Sequence, residues 1–159
     1  MSVSIVLDRD AGPLVAGEPL INLVPATLLE HLGTPVLAVY GQQVPVPGLL
    51  RRRPSLRRHL GRRIVLGVRP EHLQDAVVGR PAAAGPVVLV LHGVVRQLRP
   101  AGAERIVHVE LADVDPGRPA APAVVARVSD RSNVAVGGAI MLAVDARHLM
   151  VFDAGHGPR

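Results

Sequence analysis

The hydrophobic positions of this chain fall in short runs separated by Gly and Pro, and several of those runs repeat with a period of two. In Ile106-Val107-His108-Val109-Glu110-Leu111, Val107, Val109 and Leu111 alternate with Ile106, His108 and Glu110. One face is therefore apolar, as a half-buried strand requires. Runs rich in Val, Ile and Leu predict strands over residues 21–29, 36–40, 63–68, 87–95, 106–111, 124–128 and 140–144. No segment sustains an apolar stripe at helical spacing for three turns. Pro70-Glu71-His72-Leu73 supports a single helical turn, because Pro is tolerated at the first helical position. Residues 79–86 and 113–122, poor in large side chains and rich in Gly and Pro, read as loops between strands. Gly137-Gly138 lies between two apolar runs and reads as a hairpin turn; no internal repeat is visible. Many short strands joined by Gly/Pro turns specify an all-β fold, a small barrel or sandwich.

Composition narrows the chemistry. The 159 residues suit one domain, or two small lobes sharing a core, and 48% hydrophobic with 19% charged residues is globular. The apolar content is almost wholly Val, Ala and Leu, with one Tyr (Tyr40), one Phe (Phe152) and no Trp. Such a core still excludes water, since burial energy follows apolar area. The scarcity of aromatics counts against a single-stranded nucleic-acid binder, which stacks bases on Phe, Tyr or Trp. The absence of Cys excludes disulfides, thiolate zinc sites and cysteine nucleophiles. No apolar run approaches the roughly 20 residues that span a bilayer. The first ten residues lack the basic segment and apolar stretch of a signal peptide. A cytoplasmic protein without direct membrane insertion is the expectation. All 18 basic residues are Arg, which with the excess of Ala, Gly and Pro points to a GC-rich coding sequence.

The most conspicuous charge feature is the run Arg51, Arg52, Arg53, Arg57, Arg58, Arg62 and Arg63. It reads first as a solvated loop, or one helical turn begun at Pro54. The functional reading is a contact for phosphates of nucleic acid or lipid, or for an acidic protein. Seven His are present, none spaced as a metal-binding pair, so neither a metal nor a cofactor is expected. Ser129, Asp130 and Ser132 are close in sequence, but no Gly-x-Ser-x-Gly elbow surrounds either Ser. With no Lys there is no phosphate-binding P-loop, and no Leu-Ser-Gly-Gly-Gln signature occurs. The chain is expected to hydrolyse no ATP of its own, and no catalytic residue is assigned.

Three collinear segments carry a resemblance. Gly17-Glu18-Pro19-Leu20-Ile21-Asn22-Leu23 is similar to a Gly-Ser-Pro-x-Met-Asn-hydrophobic stretch, and Leu66-Gly67-Val68-Arg69-Pro70-Glu71-His72-Leu73 to Gly-Ile-Arg-Pro-Glu-His-Leu. The third segment has a Gly-x-Glu strand entry at Glu104, an Ala-Arg strand end in Val125-Ala126-Arg127-Val128-Ser129, and a closing Leu-x-x-Phe-Asp at Phe152 and Asp153. From about residue 15 onward the chain resembles the C-terminal regulatory domain (TOBE, MalK type) of the ATP-binding subunit of maltose, trehalose and glycerol-phosphate ABC importers.

The resemblance implies an OB-like β-barrel with additional strands over residues 15–159. Residues 1–14 are set apart as a possible remnant of an ATPase domain end, where Val6-Leu7-Asp8-Arg9-Asp10 resembles its last strand. It implies a regulatory and dimerisation role, with ABC ATPase and permease subunits as partners and a homodimer as the assembly. The chain would be held at the inner face of the membrane through that complex. Arg69, Pro70, Glu71, His72, Glu104, Arg127, Phe152 and Asp153 are the implied interaction positions. Arg69 and Glu71 flank a Pro that fixes φ, so their side chains diverge and can pair with neighbours. Phe152 stands where a final strand could plug the barrel end. Two alternatives remain: a basic nucleic-acid-binding barrel, and a barrel that senses a sugar or oxyanion.

Overall fold

A computed structural model describes residues 21–77, 88–112 and 123–153. The expected loops at 79–86 and 113–122 and the N-terminal segment 1–14 lie outside the described residues. The strands are β1 Asn22–His31, β2 Thr34–Val39, β3 Gln42–Pro45, β4 Arg63–Val68, β5 Gln74–Asp75, β6 Val88–Ala101, β7 Glu104–Leu111, β8 Ala123–Ser129, β9 Ala139–Asp145 and β10 Met150–Asp153. One short helix, α1 (Leu49–Arg52), and 3₁₀ turns at Pro54–His59, Pro70–His72 and Ala146–His148 complete the described elements. The seven predicted strands are all present, and the fold is an all-β, OB-like barrel. The turns begun at Pro54 and Pro70 are present as single 3₁₀ segments.

All strand pairs are antiparallel and form two five-stranded sheets, ordered β10-β4-β1-β2-β3 and β5-β9-β6-β7-β8. Each sheet is a three-stranded meander (β1-β2-β3 or β6-β7-β8) with a fourth strand returning beside the meander's first. The fifth strand comes from the other half of the chain. After β4 the chain turns through Pro70–His72 and gives β5 to the second sheet; after β9 it turns through Ala146–His148 and gives β10 to the first.

The two halves thus repeat one topology with exchanged end strands, a repeat that the sequence itself does not display. The two halves share alternation and topology rather than residue identity. The turn segments Arg69-Pro70-Glu71-His72-Leu73 and Asp145-Ala146-Arg147-His148-Leu149 share only the closing His-Leu. Leu73 and Leu149 are both buried, and their N–H groups donate to Pro70 and Ala146, each at 3.2 Å.

The inward positions form one continuous aliphatic cluster. Val24, Ala26 and Leu28 of β1 meet Leu37 and Val39 of β2, Ile64, Leu66 and Val68 of β4, and the inward residues of β6 to β9. Leu49, Leu50 and Leu56 add the α1 segment to the same core. At Leu–Val side chains of about 1.5–3 kcal/mol each for full burial, the core needs no aromatic ring.

Gly137-Gly138 does not make the expected hairpin, because the strands around it, β8 and β9, are not neighbours in the sheet. The doublet docks on β6 instead. Gly137 (φ 84°) donates its N–H to Val95 at 2.7 Å, and the Val95 N–H donates to Gly138 at 2.9 Å. That contact falls where β6 shifts register against β7, between Val95 and Gln97.

Candidate functional site

The three motif segments meet at one buried amide. Asn22 shares the inward face of β1 with Val24, Ala26 and Leu28, and it is only 4% exposed. Its Nδ2 donates to the carbonyls of Val125 (2.8 Å) and Val68 (3.1 Å), and the Val125 N–H donates to Oδ1 at 2.8 Å. The side chain thus imitates a neighbouring strand for β8 while holding the end of β4. A polar residue on an otherwise apolar face was the signal in the sequence, since a buried amide must find partners; Asn22 was not singled out by it.

Gln42 at the start of β3 does the same for the other pair of strands. The His92 N–H donates to Oε1 at 2.9 Å, and Nε2 donates to the carbonyls of His92 and Ala112, both at 2.8 Å. Strands β1 and β8 correspond to β6 and β3 under the repeated topology, so the two amides join the sheets at equivalent places. Nothing in the sequence around Gln42 marks it.

The two crossover turns also meet each other. The rings of His72 and His148 stack with centroids 4.0 Å apart and 19° between planes. Nδ1 of His72 is buried and has no hydrogen-bond partner among the described residues. Burial pushes the His72 pKa below the ordinary histidine value, helped by His148 and Arg69 and opposed by Glu71. Beside it, Asp145 accepts the Arg147 N–H (2.9 Å), capping the second turn, and pairs with the Arg147 guanidinium at 2.8 Å. The first turn uses Pro70 at its start and has no side-chain cap.

Of the sequence-derived positions, Pro70 is buried, His72 half-buried, and Arg69 and Glu71 exposed. Arg69 and Glu71 make no ion pair among the described residues. Glu71, Glu104 and Arg127 do come together, lining a cleft of about 260 Å³ with Gln74, Asp75 and Ser129. Arg127 and Glu104 lie diagonally across β7 and β8, with Nη1 3.6 Å from Oε1. Phe152 does not plug the barrel end. It is half-buried on the edge strand β10, opposite Val65, and its ring lies against Gly67 of β4. Asp153 places Oδ1 3.7 Å from Nδ1 of His59.

The arginine run divides. Arg51, Arg52, Arg57, Arg58, Arg62 and Arg63 are exposed. Arg53 is half-buried, and its Nη2 donates to the Ala146 carbonyl at 2.6 Å, tying the α1 segment to the second crossover turn. Desolvation lowers the Arg53 pKa from its usual high value. The solvated reading therefore describes six of the seven and fails for Arg53. Ser132 and Asp75, both buried, hydrogen-bond to each other and hold the loop before β9. Among the described residues no group of His, Asp and Glu is arranged to hold a metal, and no helix is long and apolar enough to cross a membrane.

Comparison with known proteins places this geometry. A MalK OB fold domain model matches residues 17–73 and a TOBE domain model matches residues 66–152. The two overlap on the Leu66–Leu73 segment that leads into the first crossover. The sn-glycerol-3-phosphate import ATP-binding protein UgpC of Chromohalobacter salexigens is 32% identical over 87% of the chain and 31% of its own length. UgpC of Cereibacter sphaeroides is 33% identical over 97% of the chain and 37% of its own length. The chain thus spans about a third of these relatives. Among solved structures, the cytoplasmic molybdate-binding protein ModG matches with a TM-score of 0.54 at 15% identity, covering 83% of this chain and 95% of that one, a likeness of fold. The chain belongs to the TOBE domain family, with a MalK-type OB fold domain in its first half.

Proposed function

We propose that the chain is the regulatory and dimerisation module of the ATP-binding subunit of a carbohydrate or glycerol-phosphate type ABC importer. The observation that carries this reading is the convergence on Asn22 of all three segments by which the chain resembles that family. The match to import ATP-binding proteins over about a third of their length supports it. With no Lys, the chain has no P-loop to hold nucleotide phosphates, so its part is mechanical. A dimer of barrels keeps two ATPase units near one another and raises their effective concentration for closing on ATP. A regulator bound at the barrel shifts the open and closed arrangements only by its difference in affinity for them. The exposed Arg69 and Glu71 and the cleft formed by Glu71, Glu104 and Arg127 are the positions assigned to such contacts.

The test is the mass of the purified chain by light scattering, followed by titration into the cognate importer's ATP-binding subunit. A dimer, with no ATP turnover alone and altered turnover by the subunit, fits the proposal. A monomer that leaves the subunit's turnover unchanged contradicts it.

A further inference from the structure

One end of the first sheet carries a surface that the importer reading does not use. β3 ends at Pro45 opposite Val36 of β2, and β4 begins at Arg63 opposite Thr27 of β1. The connection from β3 to β4 therefore leaves and re-enters the sheet at the end that carries the β1–β2 hairpin; between these points Arg53 reaches the Ala146 carbonyl of the second crossover turn. Gly61 donates its N–H to Leu28 at 2.6 Å, and the Leu28 N–H donates to Arg62 at 3.1 Å. Leu32, at the hairpin tip, is four residues beyond Leu28, about 13 Å at the rise of an extended strand.

Two features of this end stand out. From residue 31 to residue 70 the chain has eight Arg and neither Asp nor Glu. Arg51, Arg52, Arg57, Arg58 and Arg62 are exposed and make no ion pair among the described residues. They stand on a fixed base, because Leu49, Leu50 and Leu56 are buried in the core. Nearby, Leu32 is 92% exposed and has φ 51°. That left-handed backbone costs a non-glycine residue roughly 1–2 kcal/mol, and the displayed side chain contributes no core burial in return. Glu30 is the one carboxylate on this hairpin, and Asp153 of β10, opposite Ile64 and 3.7 Å from Nδ1 of His59, is an exposed carboxylate at the same end.

We propose that this end of the barrel is a docking surface for an anionic lipid bilayer. The guanidinium groups pair with headgroup phosphates, and Leu32 rests at the boundary between headgroups and acyl chains without spanning the membrane. Leu32 favours this partner over a nucleic acid, which would use the arginines and leave an apolar tip in water. The scarcity of aromatic rings for base stacking points the same way. The inference does not depend on the importer reading, since it concerns the surface of the chain itself.

The experiment is co-sedimentation of the full chain with phosphatidylcholine vesicles, with and without phosphatidylglycerol, at low and high salt. The expected result is binding only to the phosphatidylglycerol vesicles, lost at high salt as the charges are screened. Arg58→Gln with Arg62→Gln should lower the partition about 25-fold, at roughly fivefold per arginine near the surface. Leu32→Gly should weaken binding several-fold while the thermal midpoint stays level or rises, because glycine relieves the backbone. Equal binding to neutral vesicles, or none to anionic ones, overturns the proposal. So does undiminished binding by the stably folded Leu32→Gly variant, or tighter binding to a nucleic acid than to vesicles at the same salt.

Discussion

His72 and His148 stack at 4.0 Å between ring centroids, and each ring comes from the turn through which one half of the chain passes its last strand to the other. The contact therefore sits where the two exchanges cross. Its protonation state bears on whether the halves stay locked, because a charge on either ring would be placed against the other.

The first prediction follows from the depressed pKa of His72. Below the ordinary histidine pKa of about 6.5 the unfolded chain takes up a proton that the folded chain resists. The stability held by neutral His72 is complete above that value and is lost as pH falls through the window down to the lowered folded pKa. Thermal midpoints measured from pH 7.5 to 5.5 should fall, and less steeply in His72→Phe, which keeps a stacking ring without the titration. An equal slope in both proteins would show that His72 is not the source.

Asn22 is expected to be the costliest polar residue to remove. Asn22→Ala leaves the Val125 N–H and the carbonyls of Val68 and Val125 without their partner, a loss of about 2–4 kcal/mol in urea unfolding. Gln42→Ala, at the less deeply buried equivalent interlock, should cost about 1–2 kcal/mol. A change below about 0.5 kcal/mol at Asn22 would place it among ordinary surface substitutions.

Within the arginine run, a single position should matter for folding. Arg53→Gln removes the 2.6 Å bond to Ala146 and should destabilise by about 1–2 kcal/mol. Arg52→Gln, one residue earlier and exposed, should stay within about 0.5 kcal/mol. Chemical denaturation of the two variants side by side decides it.

Gly67 and Phe152 should be coupled. A Cβ at Gly67 would come 2.7 Å from Cε2 of Phe152 and 2.8 Å from Cδ1 of Ile21, so Gly67→Ala must move the ring. Both atoms are the far ends of side chains, which holds the expected cost to about 1 kcal/mol. Phe152→Leu made in the Gly67→Ala background should recover part of that cost. A double-mutant cycle measures the coupling, and strict additivity would show that the ring does not lie on Gly67.

The period-two pattern placed seven strands because alternation of burial is a local property, and residues 63–68 matched at both ends. It stopped β6 at residue 95, whereas the strand runs to Ala101. Beyond the register shift, Arg96 to Ala101 is half polar, and hydrogen bonding to β7 rather than apolar spacing extends the strand. β3 was missed because Gln-Gln-Val-Pro has neither alternation nor β-branched content beyond one Val. The exchange of β5 and β10 was illegible for a different reason: a strand alternates identically whichever sheet receives it. Asn22 was legible as a polar residue on an apolar face. Arg53 was not, because its side chain is held by the Ala146 carbonyl, 93 residues away, and not by its own neighbours in an all-arginine run.

Affinity capture of the tagged chain from its native host decides the importer role. Co-purifying proteins would be identified and quantified by mass spectrometry. An importer module should bring down an ABC ATP-binding subunit and its permease in near-stoichiometric amounts. Recovery of the chain alone, or with RNA in place of transporter subunits, would contradict that role.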